Sequence, residues 1–362
     1  MVHNSKLRLG VKAHETLGAA FRPSIANAPP LPVVNYGLLG QQAPSLLTTP
    51  SNELPKASTV VITWTNAEWA ALQHVFCSGN TTMAYSNRTR GSWTGWEKYA
   101  KGLPHGAPSQ WNYWFYYRMV HIGTEPVLLC KSNTHLDWPG APYLEAMIDL
   151  LVKDVQPKLI LSIGTAGGAK PQDHIGTVRA VSAGTLYKTG QPSSNWPEYK
   201  NAWTGNNTLL DHAKFKQLLF AVPTKTSDLE TLCTQFNQHY GTTYTLSQLD
   251  PSELNHGDPT PQIGNQTGGG ASLLTTSTFV VGTTAGNYEA FTAIEMDDAV
   301  IGEACAKSNT AFGFVRNISD PVQAAALPTK VQGNWGSAVY DAYGFYTSYN
   351  GAIATWAILA GS

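Results

Sequence analysis

The sequence predicts an α/β fold, and three stretches carry that prediction. Thr59-Val-Val-Ile-Thr63 is a β-branched run of strand composition, and Thr65 or Asn66 after it can cap a helix bearing Glu68, Trp69, Leu72 and Val75. Lys158-Leu-Ile-Leu-Ser-Ile163 is almost purely apolar, as a strand covered on both faces is, and it runs into the glycine turn Gly164-Thr-Ala-Gly-Gly168. Ile294 to Lys307 reads as a helix, with Met296, Val300, Ala304 and Lys307 at near-helical spacing. Glu295, Asp297 and Asp298 crowd its first turn, where the positive end of the helix dipole favours acids. A short buried strand, Ala311 to Val315, follows and runs out into Arg316, Asn317, Ser319 and Asp320. A helix opening with acids and a strand ending in Arg and Asp bring polar groups to a sheet edge, where α/β proteins seat ligands.

Composition narrows the function. Charged residues make up 13% of the 362 and the net charge is −1, so the basic field of a nucleic-acid binder is absent. Small anions remain possible ligands, since they need only two or three cations. No run of about 18 apolar residues marks a membrane span, and the N-terminal Met-Val-His-Asn-Ser-Lys lacks a signal-peptide core, which predicts a cytoplasmic protein. Cys77, Cys130, Cys233 and Cys305 are widely spaced with no C-x-x-C pair. Without that pair or any other ligand cluster of metal spacing, neither a metal nor an organic cofactor is expected. Cys130 and Cys305 lie in apolar runs and read as core thiols.

Residues 1–57, with Ala28-Pro-Pro-Leu-Pro-Val, read as an extended arm ahead of a domain spanning 58–362. Residues 78–117 are irregular and aromatic; Trp93, Trp96, Trp111 and Trp114 suit a packed insertion, an oligomer contact or a stacking surface for a base. Met119-Val-His-Ile and Pro126 to Lys131 form a hairpin turning at Gly123-Thr-Glu. Ala141 to Val155 is an amphipathic helix with Pro142 in its first turn and Leu144, Met147, Ile148 and Leu151 on one face. Ile175 to Ala183 is a further strand. About 188–265 is a polar insertion with one helix, Asp228–Tyr240, for which Ser227 is the candidate cap. Ser277-Thr-Phe-Val-Val is a strand and Ala338–Ala360 a terminal helix.

Four separated pieces now fit one ordered pattern: Val60 to Glu68, Ser162 to Gly168, Ser277-Thr-Phe279, and Ile294-Glu-Met-Asp297 with Arg316-Asn-Ile-Ser-Asp320. Together they resemble the nucleoside phosphorylase/nucleosidase superfamily, with motifs closest to methylthioadenosine nucleosidase. The resemblance covers roughly 58–187 and 270–360. It implies a three-layer α/β/α domain around a mixed, partly barrel-like sheet. It further implies cleavage of an N-glycosidic bond of a purine nucleoside or nucleotide, through a ribosyl cation-like transition state.

By that resemblance Asp320 is the general acid at the departing base, and Glu68 and Arg316 orient and activate a water. Thr165 and Gly167 in the glycine turn line the site, Phe279 and the Val280 backbone hold the base, and the Met296 backbone and Asp297 hold the sugar, assisted by Glu295. Asp297 departs from the family's Glu; one methylene shorter, it predicts weaker 2′-hydroxyl contact and tolerance of deoxyribose. Phosphorylases need cations for phosphate, often an Arg on the central strand before the glycine turn and another in the first loop. Here those positions read Leu161-Ser162-Ile163 and Trp64-Thr-Asn-Ala-Glu68, which favours water as the nucleophile. Arg88, Arg90 and Lys131 remain as cations able to serve a phosphorylase, and the Lys170–His174 segment as a further phosphate contact.

His135, in the loop Asn133-Thr-His-Leu-Asp137, is a solvated histidine or a contact to a 5′ substituent. A non-catalytic nucleoside-binding or storage protein of this fold is the other reading, and it would not require Glu68, Arg316 and Asp320 together. The resemblance also implies a homo-oligomer, and it reaches nucleotide-degrading effectors of bacterial defence, whose pockets such an arm and insertion would suit.

Overall fold

In the computed structural model the described residues are 3–4, 21, 23–25, 27–89, 94–170, 173–201, 203, 205, 207–250, 272–277, 279–280, 282–285, 288–320 and 322–361. The first strand of the central sheet, β3 (Thr59–Thr63), and the helix after it, α1 (Asn66–Cys77), form where the sequence places them. Thr65 caps α1: its hydroxyl accepts the Glu68 N–H at 3.3 Å, and the Glu68 carboxylate accepts the Thr65 N–H at 2.8 Å. Helix α2 (Ala141–Val155) also has the expected bounds, with proline in its first turn.

Several elements run longer than their apolar cores. The hairpin is β5 (Phe115–Ile122) with β6 (Glu125–Ser132), so three residues assigned to the irregular aromatic segment belong to a strand. That segment also holds the strand β4 (Glu97–Tyr99). The central strand β7 (Leu159–Gly167) continues through the glycines instead of turning there. Its partner β14 runs Ala311–Asp320, not to Val315, because Arg316, Asn317, Ser319 and Asp320 are buried and the pairing with β7 continues, in register to Ile318 and then past a bulge at Ser319 to Asp320 opposite Gly167. The terminal helix α6 (Thr329–Ala360) begins nine residues before the aromatic run that signals it.

Other boundaries shift. The stretch Ile175–Ala183 becomes two strands, β8 (Val178–Val181) and β9 (Ala183–Leu186), bent at Ser182. Ile294–Glu295 is a strand, β13, and the helix α5 starts only at Asp298 and ends at Ser308. Glu295 and Asp297 therefore precede the helix instead of lying in its first turn. In the polar region, α3 is Thr226–Tyr240. Asp228 accepts the Lys225 N–H at 3.1 Å, so Ser227 is inside the helix and does not cap it. The short strand β10 (Glu198–Lys200) and the helical turn α4 (Leu246–Leu249) also lie there. Before the predicted strand, now β12 (Phe279–Val280), the sequence reading missed β11 (Leu273–Thr275).

The sheet is mixed and has 12 strands among the described residues, ending in β2 (Ser45–Leu46). β7 lies parallel to β3 on one side and to β14 on the other. β14 pairs with β8, β9 with β11, β11 with β13, and β13 returns to β7 at Gly167. Since β8 and β9 are one bent segment, this path closes on itself: one end of the sheet is a small barrel, and β3, β6 and β5 open away from it. A separate pair joins β1 (His3–Asn4) to β12.

Alternation along the strands sorts two cores. Val61, Leu129, Leu161 and Val315 face α1 and α6, whereas Val60, Ile62, Leu128, Ile160, Phe312 and Phe314 face α2 and α5. Helices thus cover both faces, giving three layers. The segment 27–57 lies along this same domain: Leu31, Val34, Tyr36 and Leu39 are buried in the first core, and the Tyr346 hydroxyl donates to Pro29 O at 2.8 Å. Cys130 and Cys305 are buried and free, as expected of core thiols. Among the described residues no helix is long and apolar enough to cross a membrane, and no group of three or more His, Cys, Asp or Glu is placed to hold a metal.

Candidate active site

A cavity opens where the C-terminal ends of β3, β7 and β14 meet β13. Its wall includes Glu68, Thr165, Gly167, Glu295, Met296, Asp297, Arg316 and Asp320, so eight residues singled out from the sequence converge on one space. Phe279 and Val280 form β12, but their side chains lie outside the described residues, and so does the expectation that they hold a base.

Glu68 is 3% exposed, not the solvated first-turn acid its residue type suggests. Oε1 accepts from the Thr165 N–H at 2.8 Å and the Thr165 hydroxyl at 2.6 Å. Oε2 accepts from the Trp64 and Thr65 N–H groups at 2.9 and 2.8 Å. A buried carboxylate is tolerable only with such partners. The capping-box acid of α1 and the acid on the cavity wall are therefore the same side chain. The Tyr340 hydroxyl, from α6, braces this corner by donating to Thr65 Oγ1 at 2.7 Å.

The two glycines of β7 give the carboxylates room. A Cβ on Gly164 would stand 2.8 Å from both Arg316 Nη1 and Glu68 Oε1, and one on Gly167 would stand 3.0 Å from Asp320 Oδ2. The glycines that read as a turn serve instead to let side chains from β14 and α1 cross the face of a continuous strand.

Arg316 is buried at 2% exposure and fully engaged. Nε and Nη2 grip both oxygens of Asp298, at 2.8 and 2.5 Å, and Nη2 also reaches Glu295 Oε2 at 3.1 Å and Ser162 Oγ at 3.0 Å. Nη1 donates to the Thr165 carbonyl at 3.2 Å. Burial opposes its charge, but Asp298 and Glu295 outweigh that and raise its pKa. Burial raises the pKa of both acids in turn, and Asp298 raises Glu295 further, so they titrate as a pair. Asp298 and Ser162 are thus buried partners of Arg316 that sequence reasoning did not identify as such. Ser162 was noted only as the absence of an arginine, yet it accepts from Arg316 and from Trp64 Nε1 at 3.1 Å.

Asp320, 2% exposed, has its pKa pushed up to about 7 by burial, against the lowering effect of the Ser319 hydroxyl, which donates to Oδ1 at 2.7 Å. It can therefore hold or release a proton near neutral pH. Glu295 does what an N-cap side chain ordinarily does for α5, accepting the Asp297 and Asp298 N–H groups at 2.6 and 3.0 Å. That frees Asp297 to turn away from the helix, where it accepts the Leu136 N–H at 2.9 Å and lies 3.3 Å from His135 Nδ1. His135 is buried rather than solvated. Trp64, Thr276, Thr283 and Gln323 also line the wall and carried no sequence signal of their own.

Among the described residues Arg316 is the one Lys or Arg lining the cavity. Arg88 lies over the Tyr85 ring at 4.0 Å, Lys131 donates to Ser132 O, and neither lines the cavity; Arg90 lies outside the described residues. The segment after β7 folds around Asp173, which pairs with Arg179 at 2.7 Å and accepts the Lys170 N–H.

No family model matches this chain, and no curated protein sequence matches it. Among solved structures it is similar to the 5′-methylthioadenosine/S-adenosylhomocysteine nucleosidase of Neisseria meningitidis, at 12% identity and a TM-score of 0.48 over 84% of this chain and 100% of that one. It is also similar to the Streptococcus pneumoniae enzyme of the same description, at 15% identity and TM-score 0.45 over 84% and 98%. Futalosine hydrolase of Helicobacter pylori stands at 9% and 0.45, over 84% of this chain and 97% of that one.

Proposed function

We propose that this chain hydrolyses the N-glycosidic bond of a purine nucleoside or nucleotide and releases the free base. The observation that carries the reading is Asp320: a buried carboxyl that keeps its proton near neutral pH, on the same cavity wall as the Glu68–Thr165 pair and Asp297. In this reading Asp320 gives its proton to a ring nitrogen of the base as the C–N bond breaks. Positive charge then grows on the sugar, facing a wall rich in carboxylates. A water held at the Thr165 hydroxyl attacks the anomeric carbon, and its proton passes toward Glu68. Asp297 and the Met296 backbone hold the sugar hydroxyls.

Phosphorolysis is disfavoured by Arg316. The guanidinium is committed to Asp298, Glu295 and Ser162, and a buried phosphate dianion without its own cation is costly. The deciding experiment is product chromatography on adenosine, guanosine, inosine, methylthioadenosine, AMP and ATP, with and without inorganic phosphate. Free base with free sugar, unchanged by phosphate, is expected. Sugar 1-phosphate as the product would move the chain to the phosphorylases, and no base release from any substrate would favour a binding role.

A further inference from the structure

The loop between β6 and α2 holds a buried histidine that neither the acid nor the water-positioning group requires. His135 is 3% exposed, its ring stands 5.3 Å from that of Trp64, and its Nδ1 is 3.3 Å from Asp297 Oδ2. The backbone fixes it in place: His135 N–H donates to Trp138 O at 2.9 Å, and Gly140 N–H to His135 O at 3.1 Å. One residue on, the Leu136 N–H takes the other Asp297 oxygen.

Facing a carboxylate, Nδ1 must be the nitrogen that carries hydrogen, which leaves Nε2 with its lone pair. That Nε2 is buried and has no hydrogen-bond partner. Buried polar atoms in proteins are nearly always paired. Asp297 also precedes a helix without capping it, since Glu295 accepts those N–H groups. Its short side chain is thus held by the loop alone, through two donors.

We propose that His135 is the specificity-determining residue for the sugar: it positions Asp297 to read the ribose hydroxyls. This inference rests on the reading that Asp297 faces the sugar. Without the imidazole, Asp297 keeps only the Leu136 N–H and can rotate off the hydroxyls. The effect is confined to ligands that carry those hydroxyls, which separates it from a general loosening of the fold.

The test is equilibrium binding in an Asp320→Asn background, where turnover is suppressed, using adenosine and inosine against their 2′,3′-dideoxy counterparts. The parent should prefer the ribonucleoside. His135→Leu and His135→Gln, which cannot present a hydrogen at the Nδ1 position, should lose about tenfold of that preference, the weight of one hydrogen bond to a charged group. His135→Asn, whose amide nitrogen overlays Nδ1, should retain it. The proposal is overturned by an unchanged preference in the Leu and Gln variants, by ribo and dideoxy ligands weakening equally, or by a parent that does not distinguish them. Hydrolysis is read separately from wild-type turnover. Turnover with a preference that ignores His135 defeats this inference and leaves the hydrolase reading standing. Preference that depends on His135 without turnover does the reverse.

Discussion

Asp320→Asn should make the protein more stable and inactive together, and the stability gain should depend on pH in a way only a buried acid produces. The folded protein holds this carboxyl at a pKa of about 7, against an ordinary 3.8. Between those values the unfolded chain ionises at this position while the native protein keeps its proton. The native state then binds more protons, so Asp320's contribution is complete below pH 3.8, falls as pH rises, and levels off above about 7. At about 1.4 kcal/mol per pH step, the loss across that window is roughly 4 kcal/mol. An asparagine has nearly the same shape and no proton to lose. The difference in unfolding free energy between variant and wild type should therefore grow by roughly 4 kcal/mol from pH 4 to pH 7 and stay flat beyond. Glu295 and Asp298 also titrate, but they are common to both proteins and cancel to first order. Urea unfolding curves for the two proteins at half-unit pH intervals measure this. Parallel stability profiles would refute the burial argument for Asp320. For wild type, kcat/KM should fall about tenfold per pH step above 7; the variant should lie about 10²–10⁴ below wild type at and under pH 7, with the gap closing as pH rises and wild type loses the same proton, as the general-acid reading of Asp320 requires.

Two further substitutions test the geometry around that acid. Gly164→Ala places a methyl 2.8 Å from both Arg316 Nη1 and Glu68 Oε1, so it should cost roughly 1–3 kcal/mol and about 100-fold in kcat/KM, read by urea unfolding and base release. Arg316→Met leaves Asp298 and Glu295 buried without a countercharge and should cost about 3–5 kcal/mol; adding Asp298→Asn should recover part of the loss, and a double variant no more stable than the single one would contradict the ion-pair account.

The legible parts of this chain were those whose signal is local. Strand Thr59–Thr63 and helix Ala141–Val155 announce themselves by a β-branched run, a capping threonine and a proline in the first turn, and their ends fall where read. What was not legible depends on partners distant in sequence. Arg316 to Asp320 are polar and so resemble a strand's frayed end, but Asp298, Thr165 and Ser319 satisfy them and the strand continues. Gly164 and Gly167 resemble a turn because the side chains that cross them come from β14 and α1. The three acids before Val300 resemble a helix's first turn, although Glu295 in fact ends a strand and caps from outside. The candidate site residues were found through their order along the chain, whereas Ser162, Asp298 and the His135–Asp297 contact needed the fold.

The parallel pairing of β3, β7 and β14 ties the site's completion to the completion of the sheet. Glu68 meets Thr165 across 97 residues, and Arg316 meets Ser162 across 154. Parallel, long-range pairings close late, because loop entropy must be overcome before any contact rewards it. An intermediate with β3 and β7 paired but β14 still free would hold Glu68 in place with neither guanidinium nor acid, and would leave Gly164 and Gly167 as a bare strip. Base-releasing activity during refolding should accordingly follow the slowest structural phase, measured by sampling activity alongside the refolding signal.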